Sequence, residues 1–600
     1  MPSKRRDFLI RVCSRLALVA TVPWGGCQRG AAERPTTPPG AGISTPSATT
    51  TAATPVVASP ATLVLRGAKV ATVDDAFSIA ESVAIRGNRI VYVGDDRGVE
   101  PWVGEGTQVL AVDGKFVLPG LVDAHCHPYA LGRGDENNDF FDVGAAKTFD
   151  EMVTMLGDKA KTLAPGEWII GGGWDQNRWP GKALPVHDRV SAVTPNNPVF
   201  LYRDGGNSAF ANKKALDIAG ITKDTPDPYG GQIHRKPDGE PTGFVVNMGN
   251  NLIKKHFPAE NRPDDYYRER YKLAARRANE VGLTGWHDAG TDPKHIGIYK
   301  QLVDRGELTM RSNVMLQNPR LEYDATVAYF KSHRVLNYGG EQMLQVRSVK
   351  MFFDGALGSR GARLFEPYDD DPHNTGVFEV PPEHVYEVSK AGLETGMQVC
   401  PHSIGPKANF EFLNAVERAL AERPVADHRF RSEHAEVVRP TDIPRFAKLG
   451  VIASIQPIHC TSDMGFMHDR LGPQRCHRSA SPWRSFLDAG VHIASGSDFT
   501  VESHRPLYGI YAAITRQDHQ VQSAGGWYGD QRMTREEAIR SYTNGPAYAA
   551  FLEHELGSLE VGKLADIVVL DQDLLTVEPH VILETQVLFT IVNGKVVYQK

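Results

Sequence analysis

The chain has 600 residues, 66 of them basic and 72 acidic, which gives a formal charge of −6 with neutral histidines. Without a basic excess to neutralise phosphates, a nucleic-acid partner is excluded on charge, and six cysteines over this length exclude a disulfide framework. A hydrophobic content of 41% with 57 glycines excludes a disordered or membrane-embedded chain and leaves a soluble, enzyme-sized protein.

Residues 1–27, MPSKRRDFLIRVCSRLALVATVPWGGC, have a basic start, a short apolar stretch and then small residues. A spanning helix needs about 20 apolar residues, and Arg11 and Arg15 interrupt this one, so the segment reads as an export signal. Arg5-Arg6-Asp7-Phe8-Leu9 matches the twin-arginine pattern. Gly25-Gly26-Cys27 has the form of a lipoprotein cleavage site, which would place a lipid anchor on Cys27. Residues 28–60 are rich in Pro, Thr, Ala and Ser, a composition that cannot bury a core and predicts a linker. Together these segments predict an exported protein, periplasmic or tethered to a surface.

From Ala61 the text turns β-like, with Val, Ile and Leu runs punctuated by Gly-Asn, Gly-Asp and Asp-Gly hairpin signals. Similar text returns near the C-terminus, where Asn593-Gly594 predicts a two-residue turn. Residues 61–118 and 556–600 are therefore expected to share one small sheet domain.

Between them, eight buried-looking strands recur with helical text separating several: FVLPGLVDAHCH, LTGWHDAG, LTMRSNVML, VRSVKMFFDG, MQVCPHSIG, HRFRSEHAE, VIASIQP and VHIASGSDF. Eight β–α units predict a closed parallel (β/α)8 barrel over 119–555, with reacting groups at the C-terminal strand ends. A Trp-, Gly- and Pro-rich insertion over about 138–261 interrupts the repeat after strand one and is expected to form a lid.

Most of these strands end in a polar cluster. In strand one, alternation with period two puts His125 and His127 on one face and Cys126 on the other, so two imidazoles can hold one divalent ion. Lys350 stands in an apolar run of strand four, where a lone ammonium would be expensive. It either pairs with Asp354 or another carboxylate, or captures CO2 as a neutral amine to form a carbamate that bridges two cations. His402, His434 and Asp498 end strands five, six and eight, and their common position at strand ends favours ligation over structural roles.

On LPGLVDAHCHP, GEWIIGGGWDQNRWPG, PDPYGGQIHRKPDGEPTGF, VKMFFDGALGSRGA, RSEHAE, SGSD and LGSLEVGKLADIVVLDQDLL, the chain resembles the amidohydrolase superfamily, and within it the amidohydrolase-3 branch of YtcJ-like metal-dependent hydrolases. The resemblance runs from about residue 62 to the end. It implies a (β/α)8 TIM-like barrel, a β-sandwich built from both chain ends, and one or two divalent ions, usually zinc. His125 and His127 would hold the first ion with Asp498 beside it. Lys350, as carbamate, would bridge to a second ion held by His402 and His434. Two departures stand out: Pro406 replaces an Asp in the His-Ala-Ile-Gly-Asp text after strand five, and Asn207 replaces a substrate-facing His in the insertion.

The expected chemistry is attack by a hydroxide held between cations, with Asp498 moving the proton to the leaving nitrogen of a non-peptide N-acyl or N-formyl amide. Arg360, in Gly355–Arg363, is a candidate for a substrate carboxylate, and Trp174 and Trp179 for lining a lid. Cys400 shares a face with His402, but as a small apolar filler of the barrel. An ester, lactone or phosphoester hydrolase is an alternative on the same ligands. A cyclic-amidine deaminase is another, although its usual Glu three residues past the strand-five His is Gly405 here. The alternative of another class is a tethered, non-catalytic binding protein.

Overall fold

The computed structural model describes residues 59–133, 140–259, 262–521 and 523–600; the export segment, Cys27 and nearly all of the linker lie outside them. Eight strands, β1 (Leu121–Cys126), β2 (Leu283–Thr291), β3 (Arg311–Gln317), β4 (Leu344–Phe352), β5 (Gln398–Ser403), β6 (Arg431–His434), β7 (Ile452–Ile455) and β8 (Ile493–Ser495), follow one another around a TIM-like barrel. Every neighbouring pair from β1 to β8 is parallel. Such strands are covered on both faces, which is why they read as nearly continuous apolar runs. Their outward residues, among them Cys126, Leu283, Val314, Val349 and Ala453, pack beneath the surrounding helices in one large core. Inside the barrel Ala289, Met315 and Cys400 make a small apolar layer, which gives Cys400 its filling role.

The ring closes between β8 and β1 just beyond the last strand. The amide of Asp498 donates to the His125 carbonyl at 2.8 Å, and the amide of His127 donates to the Phe499 carbonyl at 2.7 Å. The Asp123 carboxylate reinforces the seam by accepting from the Ser497 amide (3.1 Å) and hydroxyl (2.6 Å). Closure thus sets two predicted ligands of β1 against the predicted ligand that follows β8.

The two chain ends do share a sheet. Ile567–Leu570 pairs antiparallel with Phe116–Pro119 in a six-stranded sheet that continues to Lys595–Gln599 on one side and Ile79–Ala80 on the other. A second, four-stranded sheet is built from Leu63–Arg66, Ser82–Arg86, Arg89–Gly94 and Gln108–Ala111. Leu65, Val83, Ile85, Val117, Ile567 and Ile591 of the two sheets fill one core. Asn593 and Gly594 both take positive φ, 54° and 73°, the mirror-image turn that suits the right-handed twist of a hairpin.

The insertion is a folded unit with cores of its own. It holds a six-stranded mixed sheet from Phe141–Asp142 to Pro241–Asn247, with Gly231–Arg235 at its other edge. Alternate residues feed separate cores on its two faces: Leu201, Phe210 and Phe244 on one, Phe200, Ala209 and Val245 on the other. It meets the barrel loops where Asn177 donates to the Gly358 carbonyl at 3.5 Å and Lys182 pairs with Asp469 at 2.7 Å. Among the described residues, no helix is long and apolar enough to cross a membrane.

Candidate metal centre

The strand-end residues named from the sequence converge on one rim. His127 Nε2 lies 3.0 Å from Asp498 Oδ1, and His125 Nε2 lies 3.6 Å from the same oxygen. His125 and His434 rings are 4.8 Å apart, and His434 and His402 rings 4.3 Å apart. Lys350 Nζ stands 3.1 Å from His125 Nε2, which brings the fourth strand into the group. His125, His127 and Asp498 each offer one ligand atom within 4.8 Å of the others, and so do His434, His459 and Asp498.

Burial sets the charge states. Desolvation first, and the Lys350 charge second, draw His125 down to about 4 and His402 to about 3. Burial, with repulsion from His402 and His125 once acid protonates them, holds His434 well below the usual range. All three are neutral imidazoles near pH 7, the form that binds a metal. Burial pushes Asp498 up, but His125 and His127 outweigh it and hold the carboxyl well below the usual range. Lys350 is drawn down chiefly by burial. It makes no ion pair within 4 Å among the described residues, so its expected pairing with Asp354 is not made. Asp354 instead accepts from the amides of Arg363, Ile404 and Gly405 at 2.8 to 3.0 Å and anchors the loop after β4.

A second layer holds these rim side chains in place. His125 Nδ1 donates to Glu433 Oε2 at 2.5 Å, which leaves Nε2 facing the rim. Glu433 is paired with Arg431 at 2.7 Å, both fully buried, and accepts from Ser454 at 2.7 Å. His434 Nδ1 donates to Gln456 Oε1 at 2.7 Å. Sequence reasoning did not find Glu433, Arg431, Gln456 or His459. Two charged residues at i and i+2 within a buried strand were the available signal for the first pair. His434, found from its place at the end of β6, has a left-handed φ of 78°, which brings its side chain to the rim beside that of Glu433.

The three candidate substrate residues fare differently. Arg360 is committed to Asp370, with contacts of 3.0 and 2.8 Å, which corrects its reading as a free carboxylate anchor. Trp174 is buried in the insertion core, stacked on Trp179 at 5.7 Å and donating to the Leu201 carbonyl, so it is a packing residue and lines no opening. Asn207 is buried at the turn before Ser208–Ala211 and its carbonyl accepts from the Asn247 amide.

The sequence profile of the amidohydrolase family matches residues 108–598. The chain is 33% identical to the protein LONG AFTER FAR-RED 3 of Arabidopsis thaliana, covering 91% of this chain and 93% of that one. It is 28% identical to the N-substituted formamide deformylase of Arthrobacter pascens, over 90% and 98%. A crystal structure of a metal-dependent hydrolase from Pyrococcus furiosus superposes with a TM-score of 0.64 at 26% identity, covering 86% of this chain and all of that one. With a barrel whose strand ends gather histidines, a buried lysine and an aspartate, and with a profile spanning most of its length, the chain belongs to the amidohydrolase family, in the amidohydrolase-3 branch.

Proposed function

We propose that this protein hydrolyses the amide-type C–N bond of a small N-acyl or N-formyl substrate, using one or two divalent ions at the rim of the barrel. The donor set fits such ions. His402 Nε2 and His434 Nε2 are buried without a hydrogen-bond partner, and a buried ring nitrogen left unpaired is costly unless something else coordinates it. His125, His127 and Asp498 would hold one ion, and His402 and His434 a second. Lys350, carbamylated by CO2 with loss of a proton, would serve both. A bound ion supplies Lewis acidity and lowers the pKa of water toward about 7.

The remaining work falls to the chain itself. Asp498, kept ionised, takes the proton from the attacking water and delivers it to the departing nitrogen, a role that typically contributes about 10²–10⁴ in rate. Glu433 and Gln456 hold the imidazoles in the tautomer that presents Nε2 to the rim. The deaminase alternative meets a steric obstacle. A Cβ at Gly405 would stand 2.2 Å from the Arg363 carbonyl oxygen, so a glutamate side chain has no room there. The name of the Arthrobacter relative supports N-substituted formamides as the first substrates to try.

The observation that carries this reading is the convergence of His125, His127, Lys350, His402, His434 and Asp498 at one rim. Metal analysis followed by a panel of N-alkyl and N-aryl formamides tests it. One to two equivalents of metal per chain and chelator-sensitive release of formate are expected. Unchanged turnover after exhaustive chelation, or a metal-free protein that hydrolyses nothing, overturns it.

A further inference from the structure

One histidine at this rim was not needed to account for the ligand set. His459 follows β7 in the first turn of the helix that begins at Pro457, three residues after Gln456, which fixes His434. Its ring lies 6.0 Å from that of His434, stacked at 16°, and its Nε2 is 4.0 Å from Asp498 Oδ2. Asp498 therefore divides its two oxygens: Oδ1 faces His127 and His125, and Oδ2 faces His459. His459 Nε2 is buried and has no hydrogen-bond partner, while the side chain as a whole is 12% exposed, across Asp498 from the 35% exposed side chain of His127.

We propose that His459 is a further catalytic residue whose Nε2–H holds the carbonyl oxygen of the substrate and stabilises the charge that gathers there. This rests on the amide-hydrolysis reading above. As water adds, a C–O bond forms and the carbonyl π pair moves onto oxygen, where the His459 N–H meets it. Collapse restores the C=O bond and breaks C–N, and the water proton taken up by Asp498 leaves on the nitrogen. The balance is amide plus water giving carboxylic acid plus amine, with no other reactant. A donor aimed at a developing oxyanion acts only in the transition state, so its removal lowers kcat more than it raises KM.

The test compares His459→Ala and His459→Gln with the wild-type holoenzyme in three measurements: metal content, steady-state kinetics and titration with an alkylphosphonate, which carries tetrahedral anionic oxygens. His459→Ala is expected to keep its full metal complement, lose about 10²–10³ in kcat with KM changed less than threefold, and bind the phosphonate more weakly by a similar factor. His459→Gln, which keeps an N–H donor, should recover about tenfold or more of both losses. Loss of an equivalent of metal in His459→Ala would make the residue a ligand and overturn the proposal, as would unchanged kcat or unchanged phosphonate binding. The titration is read whether or not an amide substrate has been found, so failure of His459 and failure of the hydrolysis reading are separable.

Discussion

His125 and Glu433 are joined by a 2.5 Å hydrogen bond on the side of the imidazole that faces away from the rim, and Glu433 is itself locked to Arg431 with neither side chain exposed. The pair does two things at once. It fixes which nitrogen of His125 is free to coordinate, and it neutralises a guanidinium inside the barrel. Glu433→Gln keeps the shape but removes the charge. Losing the oriented acceptor should weaken metal binding about 10- to 100-fold, measured by competition with a chelating dye. Leaving Arg431 buried and unpaired should cost about 3–5 kcal/mol, measured by urea unfolding of the metal-free protein. A variant that unfolds like wild type would show that the carboxylate has no part in balancing Arg431.

Lys350 touches His125 at 3.1 Å and has no acidic partner within 4 Å among the described residues. A side chain kept only to fill space would tolerate Met, which is unbranched and apolar. A carbamate bridge would not. Lys350→Ala and Lys350→Met are both expected to lose metal and turnover together, and short carboxylic acids should partly restore both in Lys350→Ala, where the truncated side chain leaves room. Full metal content in Lys350→Met would refute the bridge.

The depressed imidazoles make a prediction about acid. An unfolded histidine titrates near 6.5, whereas folded His125 titrates at about 4 and folded His402 at about 3. Between those values and 6.5 the unfolded chain binds protons that the folded one refuses, so stability is complete above about pH 6.5 and falls as pH drops through that window. Each residue contributes a slope of up to about 1.4 kcal/mol per pH unit. Urea midpoints of the metal-free protein at pH 7.5, 6 and 5 should trace the decline, and His402→Phe should flatten it by about one proton. An unaltered slope in that variant would show that His402 is protonated in the folded state.

The rim residues His125, His127, His402 and Asp498 were legible in the sequence because a parallel barrel strand is apolar on both faces and turns polar only where it leaves the sheet, which is where the rim lies. Lys350 was legible for the opposite reason, as a charge inside an apolar run. His434 was legible from the same strand-end position, although its backbone there is left-handed, whereas nothing in the strand pattern hinted at His459, which is carried by the first turn of a helix. Arg360 looked free because its partner Asp370 arrives from ten residues away through a loop with no periodicity. Trp174 looked like a lid residue because a short Trp- and Gly-rich text gives no sign that it folds into a sheet with a core on each face.

The barrel seam offers the sharpest test of how the rim is held. Gly496 sits between β8 and Asp498, and a Cβ there would stand 2.5 Å from the His125 amide nitrogen and 2.6 Å from Asp123 Oδ1. Its neighbours are a backbone atom and a carboxylate already bound to Ser497, so neither can withdraw cheaply. Gly496→Ala should therefore destabilise the protein by about 1–3 kcal/mol or more, and the displacement falls on the hydrogen bond that aligns His125 with Asp498. Gly297, inside the helix Lys294–Asp304, is the control: an added methyl there meets nothing within 4 Å, and Ala is the better helix former by about 1 kcal/mol. The two Gly→Ala variants should shift the unfolding midpoint in opposite directions, and only Gly496→Ala should lose metal affinity. Equal behaviour of the pair would mean that the seam yields freely and that the His125–Asp498 alignment is set elsewhere.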